Sequence, residues 1–220
     1  RLFARTDDQV ESNAEGLFSK VLCWFAKEGG ESWVRWLLVC IPEDGRLRAG
    51  EGQCQGPAAG KALLAAAGSG QVPVLQCLLE ASADVKTSDE NDCTALHWAA
   101  DQGHAEACEL LLKFGAQVDD EDDDAWTPLC LAAEEGHLKT CEVLLSFGAT
   151  VSIPDEDLRS PLWWAAWRKH DALVELLLRH RADVNQTDRW GVSPRTILND
   201  SAPIASISCN CDQRKGEKMP

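Results

Sequence analysis

Hydrophobic and polar positions recur along this chain with one long period. From Thr127 the text reads Thr127-Pro128-Leu129-Cys130-Leu131-Ala132-Ala133, then Gly136-His137, Leu144-Leu145 and Phe147-Gly148-Ala149. A shift of 33 residues back gives Thr94-Ala95-Leu96-His97-Trp98-Ala99-Ala100, Gly103-His104, Leu111-Leu112 and Phe114-Gly115-Ala116. A shift of 33 forward gives Ser160-Pro161-Leu162-Trp163-Trp164-Ala165-Ala166, Lys169-His170, Leu177-Leu178 and Arg181-Ala182. Each unit predicts a short helix, a turn and a second helix. Thr or Ser caps the first helix and Pro sits in its first turn. The Ala-Ala pair lets it lie close to the next unit. Gly103 and Gly136 end it in a position that favours left-handed dihedrals. The second helix buries Leu, Cys or Val at i, i+3 and i+4. The acidic stretch that follows predicts a β-turn tip. No unit can bury its apolar face alone, so the units must stack into a solenoid with one continuous core.

In chain order, residues 1–16 form a polar extension. A divergent first unit, about 17–45, carries Trp24, Trp33 and Trp36. A Gly/Pro-rich insertion covers 46–57; it is either a tolerated loop or a protruding binding loop. Units follow at about 58–90, 91–123, 124–156 and 157–189, then a partial one at 190–198. The repeat domain thus runs from 17 to 198, and a polar tail, expected to be poorly ordered, from 199 to 220.

Composition narrows the partners. The 220 residues are 45% hydrophobic, enough for a sizeable core, and the net charge is −15. A polyanion is repelled by nucleic acid and by anionic membranes, so neither is expected, and a basic protein is the natural complement. No apolar run approaches the ~18 residues of a membrane span. The chain starts at Arg1, which fits either a fragment or a mature chain that has lost a leader. Ten cysteines invite a disulfide reading. However, Cys108 and Cys141 share a repeat column with Leu75 and Val174, and Cys77 shares one with Leu110, Val143 and Leu176. They act as small hydrophobes. Stacked equivalents lie roughly 8–10 Å apart, beyond the ~7 Å that a disulfide allows. A reducing intracellular compartment is expected, either cytoplasm or an organelle interior.

The Thr-Pro-Leu-x-x-Ala-Ala-x-x-Gly-His…Leu-Leu…Gly-Ala pattern at this period resembles the ankyrin repeat. The resemblance covers about Gly16 to Leu198 and implies an all-α solenoid of about six repeats with β-turn tips. It also implies a non-enzymatic module that holds other proteins on its tips and on the concave face of its first helices. Two departures stand out. The column that usually carries glycine before x-Thr-Pro reads Asp92, Ala125, Leu158 and Gly191, so those turns either change geometry or are braced. Lys169 replaces the glycine of Gly103 and Gly136, so the fifth unit is expected to be the least regular. The resemblance further implies that Asn185 could accept hydroxylation, and that the column Asp89, Asp122, Asp155 and Asp188 is structural within its turns.

The excess acid is not explained by the repeat: Glu90, Asp92, Asp119, Asp120, Glu121, Asp123, Asp124, Glu156 and Asp157. Neighbouring tips stand side by side, so these should form one acidic ridge, either a solubilising surface or a dock for a Lys/Arg-rich partner. A calcium loop fits poorly, because the sixth-position Gly and twelfth-position Glu are missing. Nine Trp and no Tyr make the second anomaly. Trp98 and Trp164 fall in a column expected to face the concave side, and Trp163 in one packed between repeats. Trp167 takes a normally polar, exposed position, and Trp126 and Trp190 lie at tips. Any one of them could be core; several on one surface point to a binding groove. His97, His104, His137 and His170 are pattern positions rather than catalysts. Cys209 and Cys211 alone make a weak zinc signal. No metal or cofactor is expected.

The favoured reading is a protein–protein interaction scaffold for a basic, partly apolar partner, using Asp119–Asp124 without Asp122, Glu90, Asp92, Glu156, Asp157 and the Trp set 98, 126, 164, 167 and 190. The alternatives are a permanent accessory subunit of a large assembly and, with nothing in these residues to support it, the regulatory segment of an enzyme.

Overall fold

The computed structural model describes residues 57–200, together with Lys27 and Gly30. The extension 1–16, nearly all of the first unit with Trp24, Trp33 and Trp36, the insertion up to 56 and the tail beyond Asp200 with Cys209 and Cys211 lie outside the described residues.

Within them the chain is helical throughout, and the nearest approach to a strand is one isolated bridge between Ser88 and Thr94. The helices alternate in role. The first helices of the units are α1 (Pro57–Gly68), α3 (Ala95–Asp101), α5 (Pro128–Glu135), α7 (Pro161–Trp167) and α9 (Pro194–Asp200). The second helices are α2 (Val72–Glu80), α4 (Ala105–Lys113), α6 (Leu138–Ser146) and α8 (Asp171–Arg179). First helices pack on first helices along the series α1, α3, α5, α7, α9, and second helices on second helices along α2, α4, α6, α8. The result is an all-α, two-layer solenoid.

Sequence accounts for each boundary. The Thr127 hydroxyl accepts from Cys130 N–H at 3.3 Å, and Ser160 Oγ from Trp163 N–H at 3.3 Å, capping α5 and α7. At α3 the third helical residue answers back: His97 Nδ1 accepts from Thr94 N–H at 3.1 Å. Each second helix closes with a six-to-one bond, such as Ala116 N–H to Leu111 C=O and Ala149 N–H to Leu144 C=O.

The core repeats in columns. Leu63, Leu96, Leu129 and Leu162 are at most 1% exposed, and so are Leu78, Leu111, Leu144 and Leu177. Each such leucine contributes about 1.5–3 kcal/mol of burial. Between them the pairs Ala66-Ala67, Ala99-Ala100, Ala132-Ala133 and Ala165-Ala166 are buried, which lets the first helices approach closely. Cys77, Cys108 and Cys141 are buried in this same core, as their columns predict.

The fifth unit is not irregular, against expectation. Lys169 takes φ +63°, close to Gly103 at +73° and Gly136 at +80°. His170 N–H reaches Ala165 C=O at 2.9 Å, just as His137 N–H reaches Ala132 C=O at 2.9 Å. The reason lies one unit on. A Cβ at Gly103 would come within 2.5 Å of the His137 ring, and one at Gly136 within 2.5 Å of the His170 ring. The residue 34 beyond Lys169, where the pattern would supply the next histidine, is Pro203, which lies outside the described residues, so the sequence provides no histidine for that place. A side chain is tolerated there, at the cost of a left-handed φ.

The candidate partner-binding surface

Four tips project between second and first helices, and one residue type builds them all. At Asp89, Asp122, Asp155 and Asp188 the carboxylate Oδ1 accepts two backbone N–H bonds, from the residues two and four positions on. For Asp155 these are Asp157 N and Arg159 N, both at 2.9 Å. For Asp122 they are Asp124 N at 3.1 Å and Trp126 N at 2.8 Å. Asp89 and Asp188 repeat the arrangement. The clamp holds the next-to-last tip residue at positive φ whatever its identity: Asp92 at +55°, Ala125 at +57°, Leu158 at +63° and Gly191 at +80°. The departures from glycine therefore keep the geometry and are braced by the aspartate. The tips also bond to one another. Asp123 N–H donates to Asn91 C=O, Glu156 N–H to Asp124 C=O and Arg189 N–H to Asp157 C=O, at 3.1, 3.3 and 2.9 Å. They therefore stand side by side as a continuous ridge.

Along this ridge the acidic residues divide into two groups. Glu90, Asp92, Glu121, Asp123, Asp124 and Glu156 are exposed, and Asp120 is half-buried. None of the seven has an ion-pair partner among the described residues. Asp123 is held above its ordinary carboxylate range by local loss of solvent, by the charges of Asp92, Asp124 and Asp122, and by a hydrogen bond to Asp92. Two of the expected ridge residues serve other roles. Asp119 reaches the following unit, accepting from Thr150 N at 2.9 Å and Thr150 Oγ1 at 2.6 Å; it is a brace between units. Asp157 is neutralised by Arg159 at 2.9 Å and Arg189 at 3.2 Å.

The tryptophans divide in the same way. Trp98 is 39% exposed, Trp167 57% and Trp190 66%. Trp126 is half-buried. Trp164, expected on an open face, is only 8% exposed. Its ring lies 4.9 Å from that of Trp126, and the Arg159 guanidinium sits 4.3 Å from its centroid. It is a support for the surface rather than a contact. Trp163 is buried as its column predicts, edge-on to Trp164 at 5.2 Å and stacked on Trp167 at 5.3 Å. The indole N–H groups of Trp98 and Trp164 donate to the second oxygen of their own tip aspartates, Asp89 at 2.9 Å and Asp155 at 3.1 Å. Column reasoning treats each position separately and so missed this link. It missed Arg159 too, although an arginine four residues after the tip aspartate and five before a tryptophan was a readable signal.

The imidazole and thiols beside the ridge are held by burial and hydrogen bonds. His97 is buried, with Nε2–H donating to the carbonyls of Asp120 and Trp126 at 3.1 Å each. Burial pushes its pKa down, against opposing hydrogen bonds to Trp126 and Asp120. Both nitrogens are therefore engaged. Burial raises the thiols of Cys93, Cys108 and Cys130 to about 12, and that of Cys141 further, so these are not thiolate nucleophiles. Among the described residues no three His, Cys, Asp or Glu side chains are grouped to hold a metal ion, and no helix is long and apolar enough to cross a membrane.

Fold and surface together define a stack of two-helix repeats whose tips form one continuous ridge. The family model for ankyrin repeats (three copies) matches residues 22–122 and 114–188, and the chain belongs to the ankyrin-repeat family. Repeats of this family are generally protein–protein interaction modules. A search of curated proteins gives no match.

Proposed function

We propose that the chain is a protein-interaction scaffold that holds a basic partner across its tip ridge, with exposed tryptophan as the apolar part of the contact. The carrying observation is the crowding of Glu90, Asp92, Asp123 and Asp124 on two adjacent tips, with no ion-pair partner for them among the described residues. A fold does not keep unpaired like charges together for stability; a Lys/Arg-rich partner would relieve them. Exposed Trp98 stands beside the first tip, its N–H already satisfied by Asp89, so its ring is free for apolar contact. The test is a pull-down from the native source across a salt series, with Glu90→Lys, Glu121→Lys, Asp123→Lys and Asp124→Lys combined. Asp119 and Asp122 are left intact because they hold the fold. Partners lost with rising salt and lost in the variant support the reading. Retention indifferent to both removes it.

A second reading, a permanent subunit of a larger assembly, is favoured by the exposure of Trp167 and Trp190 at one end of the stack. A monodisperse monomer in size-exclusion chromatography with light scattering would count against it. The buried thiols support a reducing compartment as its setting. Asn185 is exposed, its amide beside Asp183 and Arg195, so the proposed hydroxylation has access. An unmodified mass for that peptide from the native source removes this proposal.

A further inference from the structure

The ridge has a direction. Between residues 57 and 124, Asp and Glu number 14 against 3 Lys and Arg; between 158 and 200, Lys and Arg number 7 against 5. At the tips this gradient is carried by Arg159 and Arg189, both in contact with carboxylates of the third tip. Unpaired carboxylates crowd the first two, Asp157 on the third is neutralised by Arg159 and Arg189, and the fourth presents exposed Arg189 and Trp190, with exposed Arg195 at the start of α9. A second observation marks the same end. In the third unit His97 Nε2 bonds the carbonyl 23 residues on, Asp120, and in the fourth unit Cys130 Sγ bonds Ile153 C=O, again 23 on. Trp163 holds that position in the fifth unit, where the corresponding residue is Gln186. Its Nε1 is buried with no hydrogen-bond partner, in a side chain 6% exposed. The basic end thus carries a donor that nothing within the described residues fills.

We propose that the ridge reads the order of charge in its partner: Lys/Arg over the first and second tips, then an apolar residue, then Asp or Glu at the fourth tip against Arg189 and Arg195. This rests on the interaction reading above and deepens it. Three tip-to-tip steps at roughly 8–10 Å each span about 24–30 Å, which an extended segment covers in about eight or nine residues.

The test uses three labelled nine-residue peptides and fluorescence anisotropy at low salt. One has four Lys, a Leu and four Glu in separate blocks; one has the same composition with alternating charge; one is all Lys. The proposal predicts that the segregated peptide binds at least tenfold tighter than the alternating one, and that Arg189→Glu with Arg195→Glu removes the preference. Equal affinity for the first two peptides, or a preference untouched by the double variant, overturns it. If the all-Lys peptide binds with salt dependence while the blocked and alternating peptides do not differ, charge order fails and the interaction reading stands. If none of the three binds, both fail.

Discussion

Asp155→Ala should be among the most damaging single changes in the ridge. The carboxylate is 2% exposed and accepts four bonds: Asp157 N, Arg159 N, Arg159 Nε and Trp164 Nε1, at 2.9, 2.9, 2.9 and 3.1 Å. Alanine leaves two backbone N–H groups and a buried indole N–H without partners, and breaks a largely buried ion pair. It also releases the clamp that holds Leu158 at φ +63°. Removing one member of a buried charged pair costs about 3–5 kcal/mol. Asp89→Ala removes the same two backbone bonds, but its tip is more open and Trp98 is exposed, so its indole can turn to water; about 1–2 kcal/mol is expected there. Asp155→Asn should not rescue, because whichever oxygen becomes an amide would face a donor. Urea unfolding followed by circular dichroism reads the difference as a midpoint shift, and with a slope near 2 kcal/mol/M the Asp155→Ala shift is roughly 1.5–2.5 M. An Asp155→Ala loss below about 1 kcal/mol, or equal to that of Asp89→Ala, would refute the clamp as the organiser of the third tip.

Leu158→Gly should stabilise the protein by about 0.5–1 kcal/mol, since the left-handed φ costs about 1–2 kcal/mol for a non-glycine residue and glycine returns part of that to the unfolded chain; Leu158 is 50% exposed, so little packing is lost. Thermal melts read the sign. Gly136→Ala should destabilise by more than the strain of φ alone, because its Cβ would meet the His170 ring at 2.5 Å, whereas Lys169→Gly should be neutral or stabilising. The His97 pKa is lowered in the folded state, so the unfolded chain binds the extra proton first. Stability is then full above about pH 6.5 and declines as pH falls below it. His97→Leu, with Leu64 as precedent in the same column, should flatten that part of the melting-temperature profile, and an unchanged slope would contradict the assignment.

The fold was legible because it rests on columns. The leucines, the Ala-Ala pairs and the tip aspartates each recur at a fixed spacing, and each position's burial or bonding follows from its recurrence. What stayed hidden crosses columns. The indole-to-aspartate bonds of Trp98 and Trp164, the neutralisation of Asp157 by Arg159 and Arg189, and the use of Asp119 to hold Thr150 all join different columns, and some of them join different units. These links moved Trp164, Asp157 and Asp119 from the open surface into the scaffold. Lys169 was misjudged for a related reason: its tolerance depends on which residue lies one unit further along.

The central claim is that the unpaired carboxylates of the first two tips are a dock for basic protein. Isothermal titration of the all-Lys nonapeptide into the wild-type protein and into a Glu90→Gln, Glu121→Gln, Asp123→Asn, Asp124→Asn variant tests it most directly, each at 50 and 200 mM salt. The account predicts wild-type binding that weakens with salt and at least a tenfold loss in the variant, with the urea midpoint unchanged. Equal affinity in the two proteins at 50 mM salt would contradict it.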